Sequence, residues 1–394
     1  MYRKKICFVT TTSLTIKTFL LGQLIFLSKN GYEVTVICNH DIKLKQLLPK
    51  DINYKPITMK RGIKPLNTIK SIYQIYKILR VGKYDIVQYS TPNAALYSAI
   101  ASWVAKIPIR LYCQWGIRYV GFTGWKRGLF KVIEKLVCSL STNIEPDSNG
   151  NLEFSHREGL YNKDKSKVIW NGSANGVELE KFVFSKKEIW RSRIRDKYDI
   201  DFRDIVLGFI GRLDKDKGVN ELLGAFKIIL SKYPMTKLLM IGSDDKNEGL
   251  DQELLQWSRS TDAIKYTGFT NEVEKYIAAL DIFILPSYRE GFGSVVIEAE
   301  AMGVPVIVTD IPGPIDAMKP GETGLTVPKA TVQPLVEAIE QMIVNPKMRE
   351  KMGENAKSFA RTNFDQSKLW DFIMEDRERL YNTFVSSKKE KMNA

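Results

Sequence analysis

Ile205-Val206-Leu207-Gly208-Phe209-Ile210, followed by Gly211-Arg212-Leu213-Asp214-Lys215-Asp216-Lys217-Gly218, is the stretch on which the reading of this chain turns. Six uncharged, mostly apolar residues that meet a glycine read as a parallel strand buried on both faces and ending in a tight turn. Leu222, Leu223 and Phe226 then recur at helical spacing, so the unit is strand, loop and helix. Gly211 frees the backbone to turn sharply at the strand end. Arg212 and Lys217 set two cations beside a helix start whose unpaired amides also favour an anion. The combination predicts a diphosphate-binding loop. Taken alone, the stretch is also compatible with a plain strand-to-helix turn carrying solvated charges.

A second unit of the same form lies downstream. The apolar run Ile282–Leu285 ends in Pro286-Ser287-Tyr288-Arg289-Glu290-Gly291-Phe292-Gly293-Ser294, and a helix follows with Val295, Val296, Ile297, Glu298, Ala299 and Ala301. Glu290 falls in the loop and Glu298 about two turns away in the helix. Carboxylates accept hydrogen bonds from paired hydroxyls, and Gly291 and Gly293 let bare amides approach an oxygen-rich ligand. A sugar and a ribose are suitable partners. The competing reading makes Glu290 a helix-start charge and Glu298 a solvated side chain.

Outward from these two units the pattern repeats. Strands are predicted at 5–10, 33–38, 84–89 and 109–114 in the first half, and at 237–241 and 304–308 beside the two already quoted. Helices are predicted at 17–30, 66–82, 93–106 and 125–140. Such alternation implies an α/β protein with parallel sheets. A length of 394 residues exceeds what one core serves. The polar, weakly periodic stretch 178–203 reads as an interdomain linker with a surface helix, dividing the chain into 1–180 and 181–364. A last helix over 365–385 has an apolar face of Leu369, Trp370, Phe372, Ile373, Leu380, Tyr381 and Phe384, and is expected to pack back on the first domain. The tail 386–394 is expected to fray.

No apolar run is long enough for a membrane span. The basic start Met1-Tyr2-Arg3-Lys4-Lys5 leads into an apolar stretch that Thr10-Thr11-Thr12-Ser13 interrupts, so it reads as a first strand rather than a leader. Cys7, Cys38, Cys113 and Cys138 are far apart and the chain has only two histidines, which suggests reduced core cysteines in the cytosol and no zinc site.

At the quoted motifs the chain resembles glycosyltransferase family 4, retaining enzymes of GT-B architecture. Gly-Arg-Leu-x-x-x-Lys-Gly stands at 211–218, and Glu-x7-Glu stands at 290–298 within Pro-Ser-x-x-Glu-Gly-Phe-Gly. Glu298-Ala299-Glu300-Ala301-Met302-Gly303-Val304-Pro305-Val306-Ile307 is similar to the family's helix, turn and next strand. Lys167-Val168-Ile169-Trp170-Asn171-Gly172-Ser173-Ala174-Asn175-Gly176-Val177 resembles the segment before the second domain. The resemblance implies two Rossmann-like domains with parallel sheets facing a cleft, the second binding a UDP-sugar.

Carried over by position, the resemblance makes Arg212, Lys217 and Glu290 the catalytic group: the two cations hold the diphosphate and Glu290 meets the donor sugar. Glu298 binds the ribose, while Gly211, Gly291, Phe292, Gly293 and Ser294 line the sugar and phosphate. Gly268 and Phe269 lie by the base, and Thr11, Thr12 and Ser13 form part of the acceptor side. No metal and no cofactor are implied, the UDP-sugar being a substrate. Two departures stand out: hydroxyl residues replace the glycines common at 10–13, and Gln114-Trp115-Gly116 has no histidine where related enzymes often carry one. His40 and His156 read as surface or structural residues.

The net charge of +14 is one-sided: residues 1–188 hold 30 Lys and Arg against 13 Asp and Glu, a balance of +17, and the remainder carries −3. Two helices of the basic half combine cations with apolar side chains. One has Leu66, Ile69, Tyr73, Tyr76 and Leu79 beside Lys64, Lys70, Lys77, Arg80 and Lys83. The other has Trp125, Leu129, Val132, Ile133 and Leu136 beside Lys126, Arg127, Lys131 and Lys135. They fit an anionic membrane surface or, equally, sheet-covering helices with a solvated face. Together with the resemblance to capsule and O-antigen enzymes, they lead us to expect a polyprenyl-diphosphate-linked saccharide acceptor, an N-acetylhexosamine donor and a peripheral place on the inner face of the cytoplasmic membrane. A UDP-sugar 2-epimerase of the same architecture is the alternative. A dinucleotide oxidoreductase lacks its Gly-x-Gly-x-x-Gly after the first strand, and no nucleic-acid-binding module is recognisable.

Overall fold

A computed structural model of the chain describes residues 3–59, 65–243 and 249–393; Met1, Tyr2, Lys64 and Ala394, on which some of the expectations above fall, lie outside the described residues. The chain forms two compact units, one running to Asn175 and resumed from Ser367, the other spanning Gly176–Gln366.

The first unit is built on strands β1 (Lys4–Val9), β2 (Tyr32–Ile37), β3 (Asn53–Tyr54), β4 (Ile86–Tyr89), β5 (Ile109–Gln114) and β6 (Asn143–Pro146). Its helices are α1 (Ser13–Thr15), continued through a π-helical turn Ile16–Leu20 into α2 (Leu21–Lys29), then α3 (Ile42–Leu47), α4 (Pro65–Gly82), α5 (Pro92–Val104), α6 (Gly124–Leu140) and α7 (Asn149–Arg157). The second unit has α8 (Lys187–Lys197), β7 (Ile205–Ile210), α9 (Val219–Lys232), β8 (Thr236–Ile241), α10 (Gln252–Ser260), β9 (Ile264–Gly268), α11 (Val273–Ala278) and β10 (Ile282–Leu285). It continues with α12 (Ser294–Ala301), β11 (Val306–Thr309), β12 (Gly324–Val327), α13 (Gln333–Val344) and α14 (Pro346–Asn363), and the chain ends in α15 (Gln366–Asn393).

Both sheets are six-stranded and their named pairs are parallel, in the orders β3-β2-β1-β4-β5-β6 and β12-β11-β10-β7-β8-β9. Each therefore starts at its centre, winds outward one way and then reverses, which is the Rossmann arrangement. Helices cover both faces, so central strands such as β4 and β10 are buried along their whole length. Reversal opens a crevice at the carboxyl ends of the two inner strands, where ligands bind in such sheets. In the first unit these strands are β1 and β4, and in the second β7 and β10.

The sequence reading of the strands holds for eight of the twelve, and the four it omits (β3, β6, β9 and β12) lie at or next to sheet edges. The stretch 178–203 carries the expected helix, α8, but belongs to the second unit. Val177 already exchanges backbone hydrogen bonds with Phe364 and Gln366 inside the second unit. In α8, Trp190 and Ile194 are buried together with Arg195, whose guanidinium donates to Asp281 and to the carbonyls of Ala279 and Asp204. A buried arginine at a core position is what weakens the apolar period there.

α15 packs on the first sheet and does not fray at 386: Lys, Glu and Met are good helix formers and carry it to Asn393. Its anchor is Arg377, with no exposed surface, which donates to Gln88 Oε1 at 3.0 Å and pairs with Glu145 at 2.6 Å and with Asp376. Glu378 binds Lys4 and accepts from Tyr32 at 2.7 Å.

Candidate active site

The loop after β7 is held open by its own side chains. Asp214 Oδ1 accepts from the Lys217 amide at 3.1 Å, capping a short 3-10 turn, and its Oδ2 pairs with Arg212 at 2.5 Å. Gly218 follows at φ +70°, and a Cβ there would sit 2.0 Å from the Pro286 carbonyl oxygen, so only glycine lets the two loops meet this closely. α9 begins immediately, burying Val219, Leu222, Leu223 and Phe226, and this fixes the loop at the helix start.

The loop after β10 meets it. Lys217 Nζ donates to Glu290 Oε1 at 2.5 Å, and Ser287 Oγ donates to the same oxygen at 2.7 Å. The Tyr288 amide donates to the Asp216 carbonyl, Arg289 pairs with the Asp216 carboxylate at 2.6 Å, and the Tyr288 hydroxyl donates to Glu221 at 2.6 Å. Thr309 secures Ser287 from β11. Gly293, at φ +85°, turns the chain into α12, which starts at Ser294. The Phe292 ring does not face the site: it is buried against Phe364, so only its backbone is available.

Glu298 lies in α12 and is half-buried. Burial pushes its carboxyl up to about 7, Lys181 opposes that shift and Glu274 adds to it. Lys181 itself donates to the Asn271 carbonyl at 3.0 Å and lies 3.6 Å from Glu274. At the end of β9, Gly268 has φ +72° and Phe269 stands out from the surface, 69% exposed. An aromatic face in that setting can stack on a planar base.

In the first unit Thr10 and Thr11 are buried and Thr12 and Ser13 half-buried. Thr10 Oγ1 donates to the Thr12 carbonyl at 3.0 Å, and Ser13 donates to Asp41, whose carboxyl Lys17 and Ser13 hold far below the usual range. Gln114 is wholly buried, donating to Glu134 at 2.7 Å and accepting from Tyr161 and Ser155. His156 bonds Ser166 and stacks edge-on to Tyr161, a structural role; His40 is exposed.

The structure thus brings the loop holding Gly211, Arg212 and Lys217 against the loop holding Glu290, Gly291, Phe292, Gly293 and Ser294 at the contact of Lys217 with Glu290, while Arg212 pairs with Asp214 in its own loop. Thr11, Thr12 and Ser13 belong to the other unit. Sequence reasoning missed Asp214 and Ser287, although Asp three residues before Lys217 and Ser three before Glu290 are recognisable cap spacings. It also missed Lys181 and Glu274, which no spacing links to Glu298. Among the described residues no three His, Cys, Asp or Glu side chains converge as metal ligands, and no helix is long and apolar enough to cross a membrane.

Residues 191–359 match the model of glycosyl transferases group 1, and residues 5–148 that of glycosyl transferase 4-like domains. A capsular polysaccharide biosynthesis glycosyltransferase, CapM of Staphylococcus aureus, is 31% identical over 392 residues, covering 99% of this chain and 100% of the relative. The N,N'-diacetylbacillosaminyl-diphospho-undecaprenol alpha-1,3-N-acetylgalactosaminyltransferase of Campylobacter jejuni is 26% identical over 87% of this chain and 92% of its own. Among solved structures, Anabaena HepE in complex with UDP and glucose superimposes with a TM-score of 0.76 at 20% identity, over 95% of this chain and 100% of that one.

Proposed function

This chain belongs to the group 1, 4-like glycosyl transferases, and from that membership we propose that it moves a sugar with retention from a UDP-sugar to a polyprenyl-diphosphate-linked saccharide in surface polysaccharide assembly. The observation that carries this reading is the meeting of the loops after β7 and β10, where Lys217 touches Glu290, with Arg212 in the same loop as Lys217 and paired there with Asp214. Arg212 and Lys217 meet the diphosphate, Glu290 the donor sugar, Glu298 the ribose, and Phe269 the base. The C. jejuni relative, by its name, uses a lipid diphosphate acceptor and transfers N-acetylgalactosamine, and an N-acetylhexosamine donor is proposed here by analogy.

Transfer with retention needs no protein nucleophile. The bond from the anomeric carbon to the UDP oxygen breaks, the acceptor oxygen bonds to that carbon on the same face, and the acceptor's proton passes to the departing phosphate oxygen. The protein's part is to stabilise the leaving diphosphate and place the acceptor. Lys217 is held by Glu290, which keeps its ammonium in place for the incoming phosphate. Side-chain cations and helix amides carry the phosphate charge, without a metal.

The basic unit is proposed to rest on the cytoplasmic face of the membrane. Its outer helices are apolar outside as well as in: Leu79 and Ile75 of α4 are in the core, while Leu66, Ile69 and Tyr73 are exposed. On α6, Trp125, Leu129, Val132 and Leu136 are exposed beside Lys126, Arg127 and Lys135. Exposed apolar faces with a cationic rim suit an anionic bilayer.

Calorimetric titration with UDP of the wild type and of Glu298→Ala and Arg212→Ala tests the donor site. Binding that both substitutions weaken and that survives a chelator is expected; equal binding by all three, or none, refutes the assignment. Release of UDP only when a polyprenyl-diphosphate-linked N-acetylglucosamine is present separates transfer from epimerisation, which needs no acceptor.

A further inference from the structure

The first sheet reverses between β1 and β4, so the loops after these strands occupy the position that the phosphate loop and the Glu290 loop occupy in the second sheet. The β4 loop contains Thr91, at φ +66° and ψ +140°. Pro92 restricts the residue before it to extended ψ, which accounts for the second angle. Nothing local accounts for the first. A positive φ is uncommon outside glycine and is an outlier for a β-branched residue, whose Cβ crowds its own backbone there. Strain of this kind persists where surrounding contacts impose it, and it collects at working sites.

The contacts that impose it are specific. The Thr11 amide donates to Thr91 Oγ1 at 3.0 Å, and the two threonine hydroxyls lie 2.9 Å apart. Thr11 Oγ1 in turn accepts from the Ala94 amide in the first turn of α5 at 3.2 Å, and the Thr91 carbonyl accepts from Ala95 at 2.8 Å. Thr11 is buried, so its amide has this side chain in place of water. Glycine would relieve the backbone at 91 but could not offer the hydroxyl. The position therefore accepts strain to keep an oxygen that fastens the loop at 10–13, where glycines are absent.

We propose that Thr91 is a positioning residue for the transfer reaction: its hydroxyl fastens Thr11 and so sets the 10–13 loop against the incoming substrates. This rests on the proposed transfer reaction and on the expectation that Thr11, Thr12 and Ser13 form part of the acceptor side. Misplacing a substrate-positioning segment by about 1 Å can cost on the order of 100-fold in rate.

The test compares Thr91→Ala, Thr91→Gly and Thr91→Ser. Transfer is followed with UDP-N-acetylglucosamine and a polyprenyl-diphosphate-linked N-acetylglucosamine, alongside UDP calorimetry, thermal midpoints and hydrogen exchange at the Thr11 amide. Thr91→Ala and Thr91→Gly should exchange Thr11 faster and lose about 10- to 100-fold in kcat, with UDP affinity unchanged because that site lies in the other unit. Thr91→Ser should restore both, and Thr91→Gly should be no less stable than Thr91→Ala although it is as slow. Wild-type kcat in Thr91→Gly despite fast Thr11 exchange overturns the proposal, as does a rate loss that follows the thermal midpoint across the variants. A wild type that neither binds UDP nor transfers defeats the donor-site reading instead. In that case unchanged Thr11 exchange in Thr91→Ala still overturns the fastening.

Discussion

On the ribose-binding role proposed for Glu298, UDP should bind more tightly as pH rises through 7, because the carboxyl must be ionised to accept both ribose hydroxyls. A carboxylate accepts on two oxygens, whereas the neutral acid gives one of them up to its proton. Burial raises this carboxyl to about 7, with Glu274 adding to the shift and Lys181 opposing it. At that value about 10% of the empty sites are ionised at pH 6 and about 90% at pH 8. Apparent affinity scales with the competent fraction, so Kd should fall about tenfold between those pH values, a change of about 1.4 kcal/mol. The terminal phosphate of UDP also titrates near pH 6, so the slope of the wild type alone does not suffice. Calorimetry at pH 6, 7 and 8 on the wild type and Glu298→Gln isolates the difference, since the amide cannot ionise while the ligand still does. The sign for folding is opposite: the empty protein is favoured with Glu298 neutral, so this group's contribution is full below about pH 4.5 and is lost as pH rises through about 7. Equal pH dependence of Kd in the two proteins would refute the reasoning.

Arg212→Ala should slow transfer by about 30- to 1000-fold, the loss of about 2–4 kcal/mol of stabilisation on the leaving diphosphate, read as steady-state UDP release. Glu300 is buried, and burial holds its carboxyl well above the ordinary range, with a hydrogen bond from Thr323 opposing the shift. Glu300→Met should therefore gain about 1–3 kcal/mol and raise the thermal midpoint by several degrees. That gain should grow with pH, since the wild type loses stability as the solution approaches the raised value. Arg377→Met strands Glu145 in the first unit, while Asp376 keeps Arg379, and should cost about 3–5 kcal/mol in urea unfolding.

Much of this protein was legible without coordinates, for reasons that differ by element. β7 and β10 were found to the residue because strands buried on both faces are continuous apolar runs that end where a loop begins. The edge strands were not, because Asn53–Tyr54 is two residues long and Ile264–Gly268 carries lysine, tyrosine and threonine on a half-covered surface. The stretch 178–203 read as a linker for a related reason. Arg195 satisfies a core position through five carbonyl and carboxylate partners, which no apolar period announces.

The two-unit α/β architecture, the cationic strand-to-helix loop at 211–218 and the spacing of the carboxylates at 290 and 298 are legible in the chain alone, because these depend on short-range order: an apolar run, a glycine, and charges at set distances along the chain. Only the tertiary structure decided that Lys217 and Glu290, 73 residues apart, share a hydrogen bond. The same is true of the neighbours Lys181 and Glu274 that shift Glu298, and of the strained Thr91 that holds Thr11 across 80 residues. The Lys217–Glu290 and Thr91–Thr11 pairings come from the reversal of strand order, which brings the loops after the two inner strands together, and no local pattern records where that reversal falls.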